Sequence, residues 1–142
     1  MRRPRGDDGN AMVEFTYLAV LLMVPLVYIL ISAFQVQRSS FGVTEAARQA
    51  GRAYTTAPNT TVALDRARAA SRLALSDQGV TDEPEVDISC DGPCLAPGTT
   101  VTVTVRHVVR LPALSVLGSA APTIPVSATH DEVVDVYSEA AP

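Results

Sequence analysis

Gly9-Asn10-Ala11-Met12-Val13-Glu14-Phe15 opens an apolar run that meets no further charge until Arg38. Residues 15–37 are 23 positions without an ionisable acid or base of the Asp, Glu, Lys or Arg type. At about 1.5 Å per residue, a helix of that length crosses the roughly 30 Å hydrocarbon core of a bilayer. The run is too long for the apolar core of a secretory signal peptide, typically about 7–15 residues. No small-x-small cleavage site follows it. Pro25 falls mid-segment, where a membrane helix tolerates the lost backbone bond. Glu14 stands at the edge of this run, five positions after Gly9. An ionisable group at a membrane segment is costly and is rarely kept without a function.

Residues 1–9 are short and basic at the start, with Arg2, Arg3 and Arg5 before Asp7 and Asp8. They read as an unstructured leader. Beyond the run lie about 100 of the 142 residues, enough for one small domain. The formal net charge is −4, so the chain presents no basic field and no nucleic-acid partner is expected.

Helical character continues past the apolar run. Ala46, Ala50 and Ala53 recur at helical spacing, with Ala47 and Gly51 beside them. Small residues in such a stripe let helices approach closely. Ala57-Pro58-Asn59 ends this element, and Asn59 or Thr60 caps a second helix over 60–77. There Ala63, Ala67, Ala70 and Ala74 share a face, flanked by Leu64 and Leu73, with Asp65, Arg68, Arg72 and Ser76 opposite.

From Pro84 the period changes to two. Val86, Ile88 and Cys90 share one face of a first strand. Val101, Val103, Val105, His107, Val109 and Leu111 share one face of a second, with Thr100, Thr102 and Thr104 on the other. Residues 112–122 read as a connection. Ile124, Val126, Ala128 and His130 alternate in a third strand, which Val134, Val136 and Tyr137 extend or end. The fold class is therefore α+β. A long N-terminal transmembrane helix precedes a second amphipathic helix packed on a small antiparallel sheet of about three strands. The expected organisation is a leader over 1–9, a transmembrane and juxtamembrane helix over 10–57, and an extracytoplasmic head over 58–142.

Cys90-Asp-Gly-Pro-Cys94 encloses a turn, and outside the membrane such a pair reads as a disulfide. Free thiols are one alternative. Another joins Cys90 and Cys94 to His107 and His130 as four metal ligands, but the two His lack the usual short spacing and each falls on an apolar strand face. No metal and no cofactor is expected. Arg48 and Arg52 lie one turn apart and could clamp a partner carboxylate, or simply meet solvent or lipid phosphate. Asp82-Glu83 and Asp131-Glu132 read as solvated loop charges. No nucleophile–base pair or glycine-rich phosphate loop is legible, so no catalytic residue is assigned and the chain is read as a non-enzyme.

Basic flank, Gly9, Glu14, the aromatic Phe15, the Leu/Val-rich helix and the Glu45-Ala-Ala-Arg48 stretch together resemble the TadE family of pseudopilins. These are minor components of the tight-adherence, or Flp-type, pilus system. The resemblance covers about residues 9–56. It implies cleavage between Gly9 and Asn10 by a prepilin peptidase, assembly through Glu14 and Phe15, and pilin and other pseudopilin subunits as partners beside the lipid bilayer. Asn10 stands where major type IV pilins carry Phe, and the globular region exceeds that of Flp major pilins, which argues for a minor subunit. Cleavage would create an α-amino group on Asn10, and a carboxylate four residues on could neutralise it in the same chain or a neighbour. The expected location is the cytoplasmic membrane, single-pass, with a cytoplasmic N-terminus, an extracytoplasmic head and a place in or beside a surface pilus. The alternative is an uncleaved single-pass anchored protein whose head is a binding or scaffold module of a secretion system.

Overall fold

A computed structural model describes residues 8–112 and 121–137 of the chain. Most of the leader and the centre of the 112–122 connection lie outside them. The described elements run α1 (Asp8–Thr55), α2 (Thr60–Asp77), β1 (Glu85–Cys90), β2 (Thr100–Arg110) and β3 (Thr123–Val133). This is the α+β architecture expected, with a long apolar N-terminal helix, a second helix and a three-stranded antiparallel sheet.

The chain divides into two compact units, Met1–Phe34 and Gln35–Pro142. In its described residues the first unit is the apolar part of α1. Its mean hydropathy reaches 2.4 and none of that window is buried, so it is long and apolar enough to cross a membrane. Pro25 lies inside α1, and the helix continues past it. As described, α1 takes in Asp8 and Gly9, which the sequence places in an unstructured leader. A glycine costs a helix only about 1 kcal/mol relative to alanine, and extending a formed helix is cheap compared with nucleating one.

The second unit is the head, and it begins earlier than the boundary at residue 58 read from the sequence. The last turns of α1 belong to it. Ser39, Gly42, Val43, Ala46, Ala47, Ala50, Gly51 and Tyr54 are buried, a continuous i, i+3, i+4 stripe. A Cβ placed on Gly42 would lie 2.9 Å from Leu75 Cδ2, so α1 and α2 meet at a glycine. A Cβ on Gly51 would lie 3.2 Å from the Cβ of Glu132 and 3.4 Å from His130 Cδ2, so the same helix also lies against β3. Alternation leads one to expect α2 as the cover of the sheet. The structure adds the end of α1 to that cover, while α2 lies against β1.

Asn59 is the N-cap of α2, its Oδ1 accepting from the Val62 N–H at 2.9 Å. At the other end Gly79 takes φ +75° and donates to Ser76 O at 2.9 Å, while Val80 donates to Leu75 O at 3.0 Å. That is a Schellman closure, which requires the left-handed conformation glycine adopts at little cost. The buried stripe of α2 is Ala63, Ala67, Ser71, Ala74 and Leu75. Leu73, expected on its flank, is 65% exposed, and Ala70 is half-buried. Ser71 is fully buried because its hydroxyl donates to Ala67 O at 2.9 Å and needs no partner outside the helix.

The sheet order is β1-β2-β3. Glu85 pairs with Arg106 and Cys90 with Val101, then Thr100 with Val133 and Arg110 with Thr123. Val101, Val103, Val105, His107 and Val109 form the buried side of β2. Val101, Val103 and Val105 meet Ala46, Ala47, Ala50, Ala63, Ala67, Leu75 and Val134 in one core. The other side of the sheet is polar: Thr102 donates to Asp131 at 2.7 Å, and Thr104 meets Thr129 at 3.0 Å. Asp131 and Glu132 therefore lie in β3 and are not loop charges, because the strand runs to Val133. Val134 leaves the strand but stays buried, exchanging backbone hydrogen bonds with Thr99 and Gly98.

Candidate functional site

Glu14 projects from a stretch of α1 whose side chains are exposed throughout. Met12, Phe15 and Leu22 are 70–74% exposed, and Glu14 itself is exposed. An apolar helix surface of this kind suits lipid as its solvent. Asn10 lies one helical turn before Glu14, so the two positions share a face of α1. Gly9 precedes them in the same helix. Glu14 has no ion pair or side-chain hydrogen bond among the described residues. Its nearest polar neighbour in sequence, Thr16, donates to Met12 O at 2.8 Å and is thereby satisfied within the helix. Phe15 projects outward beside Glu14. The structure thus brings Gly9, Asn10, Glu14 and Phe15 within two turns of one helix.

Cys90 and Cys94 lie apart from that group, in the head. They form a disulfide at the end of β1, with Cα atoms 5.6 Å apart. The loop it closes also holds Asp91, which bonds Thr100 from both its N–H and its carboxylate. Closing a loop of so few residues removes little unfolded-state entropy, so its stabilising effect lies below the roughly 3 kcal/mol of a 15-residue loop. His107 and His130 do not join the cysteines. His130 stands opposite Val103 and His107 opposite Val126, four positions apart along β2, which is about 13 Å. Nε2 of His130 meets Glu132 Oε2 at 3.1 Å. Arg48 and Arg52 are both exposed, with no ion pair among the described residues.

The head also holds a cleft of about 270 Å³, lined by residues that include Gln35, Arg38, Ser39, Asp82, His107 and Arg110. Gln35, Arg38 and Ser39 come from one face of α1, at i, i+3 and i+4. Arg110 meets Asp82 at 3.4 Å. Burial pushes the His107 imidazole below its usual value of 6.5, Asp82 opposes that shift and Arg110 adds to it. Nothing in the order of residues joins position 38 to positions 82 and 110, so the sequence gives no sign of this cleft.

No family model, curated protein or solved structure matches the chain. The functional reading therefore rests on the residues themselves.

Proposed function

We propose that the protein is a pseudopilin, made with a leader that a prepilin peptidase removes after Gly9 and acting in assembly of a Tad/Flp-type pilus. One observation carries the reading: an exposed carboxylate, Glu14, interrupts a fully exposed apolar helix one turn after the residue that cleavage would make N-terminal. A charge in that position needs a partner in lipid. The Asn10 amine supplies one, in the same chain or in a neighbouring subunit, and the pairing orders subunits in register. Residues 15–37 anchor the protein as a single-pass chain, with its N-terminus cytoplasmic and its head outside. Pilin and other pseudopilins are its partners, and it catalyses no reaction.

Mass spectrometry of the protein accumulated in its native host is the test. The expected first residue is Asn10, and Gly9→Leu is expected to retain the leader while still inserting in the membrane. An intact leader on the functional protein would sink the pseudopilin reading in favour of an uncleaved anchored module of a secretion system.

A further inference from the structure

We infer that the cleft between α1 and the ends of α2 and β2 holds the headgroup of an anionic phospholipid with a hydroxylated head, such as phosphatidylglycerol. Gln35, Arg38 and Ser39 line it, and they end the uncharged run of residues 15–37. When that run lies in a bilayer, these residues stand at the headgroup level, where the basic side chains of membrane proteins collect. The cleft carries two guanidiniums, Arg38 and Arg110, against one carboxylate, Asp82. Asp82 already faces Arg110, so Arg38 is left with no ion pair among the described residues. The chain as a whole is negative, at −4, and a negatively charged protein is repelled by an anionic surface. Attraction for an anionic lipid must therefore be local, and the lining of this cleft carries a net positive charge.

One further atom points to a bound polar group. Gln35 Oε1 is buried with no hydrogen-bond partner. Ser39, only 3% exposed, follows Gln35 by one helical turn on the same face of α1. Both line the same cleft. Unpaired buried polar atoms are costly, and a ligand that satisfies them recovers that cost. A phosphate accepts from Arg38 and from the Ser39 hydroxyl, and a headgroup hydroxyl donates to Gln35. The choline head has no donor to offer Gln35, and its fixed positive charge would face Arg38. The inference rests on the membrane placement of residues 15–37 and is independent of leader cleavage and of any pilus role.

The experiment uses the full chain in non-ionic detergent micelles, with equimolar dioctanoyl phosphatidylglycerol and dioctanoyl phosphatidylcholine, read by native mass spectrometry. One phosphatidylglycerol is expected to be retained in preference to phosphatidylcholine. Arg38→Gln is expected to weaken it about fivefold, the usual contribution of one arginine near a charged lipid surface. Gln35→Leu tests the neutral part of the site and is expected to reduce the preference without removing charge. Circular dichroism checks that both variants keep the fold. Arg48→Gln, outside the cleft, is expected to change nothing. Inorganic phosphate at a hundredfold excess distinguishes the sources of the anion. Retention of the lipid against it supports the headgroup, whereas displacement assigns the cleft to soluble phosphate and overturns the lipid. Equal retention of the two lipids, or an Arg38→Gln variant that binds as wild type, also overturns the inference.

Discussion

His107 lies in the buried row of β2, between Val105 and Val109, and that burial bears on its protonation. Burial favours its neutral form, Asp82 opposes that shift, and the positive charge of Arg110 adds to it. The folded pKa therefore lies below the unfolded value of about 6.5. In the window between these two values the unfolded chain binds more protons than the folded one. Stability is then complete above about pH 6.5 and falls as pH drops toward the folded pKa. Urea denaturation of the full chain at pH 7.5 and at pH 5 should show the loss, and His107→Gln should remove the part of the slope that lies just below 6.5. An unchanged slope in that variant would place the titration elsewhere. Glu14 presents the opposite case at this scale. Its choice as a candidate came from spacing alone, because the five-residue interval from Gly9 and the lack of other charge are facts of order. His107 was legible only as a residue on an apolar face. Its neighbours come from the α2–β1 connection and the far end of β2, and alternation says nothing of them.

The elements themselves were largely written in local pattern. The cap at Asn59, the span of α2 and the alternation of β1 and β2 follow from hydrogen-bonding side chains and from periods of 3.6 and 2. What pattern left ambiguous is which of two near-equal faces turns inward. The pattern places Leu64 and Leu73 beside the alanine stripe of α2, but Leu73 is exposed and Leu75 is the leucine that turns inward. Packing against Gly42 of α1 selects Leu75, whose methyl fills the space that the glycine leaves. The closure of α2 by Gly79 is likewise a matter of geometry. Its φ of +75° lies in the left-handed region, and no atom stands within 4 Å of a Cβ placed there. Substitution at this position meets no clash, so any cost comes from the backbone alone. Gly79→Ala should lower head stability by about 1 kcal/mol. Gly79→Asn should cost less, because asparagine tolerates that conformation. The two are compared by midpoint shifts in urea at constant slope. Equal stability of the alanine variant and wild type would show that α2 can end in another conformation.

On the scale of the whole molecule, α1 belongs to two units at once. Its first part is a surface of exposed Leu, Val, Ile and Phe, and its last turns are core. The sequence showed a stripe of small residues after Arg38 but not what it would meet, since a small-residue stripe fits a helix or a sheet equally well. It meets both: Gly42 approaches α2 and Gly51 approaches β3. Residues 39–54 should therefore unfold with the sheet rather than with the apolar segment. Hydrogen exchange supplies the first measurement, with the amides of Val43, Ala47 and Ala50 expected to open together with those of Val103 and Val105. Gly51→Val supplies the second. A Cβ at this site already falls 3.2 Å from Glu132 Cβ, and valine adds two methyl groups against a strand that is tied on its other side to β2. Overpacking of that kind costs about 1–3 kcal/mol. The variant should insert in the membrane as wild type does, because residues 15–37 are unchanged. The amides of both α1 and the sheet should exchange faster by a common factor. If only the helix amides respond, the last turns of α1 are an appendage of the head, and the sheet's core stands without them.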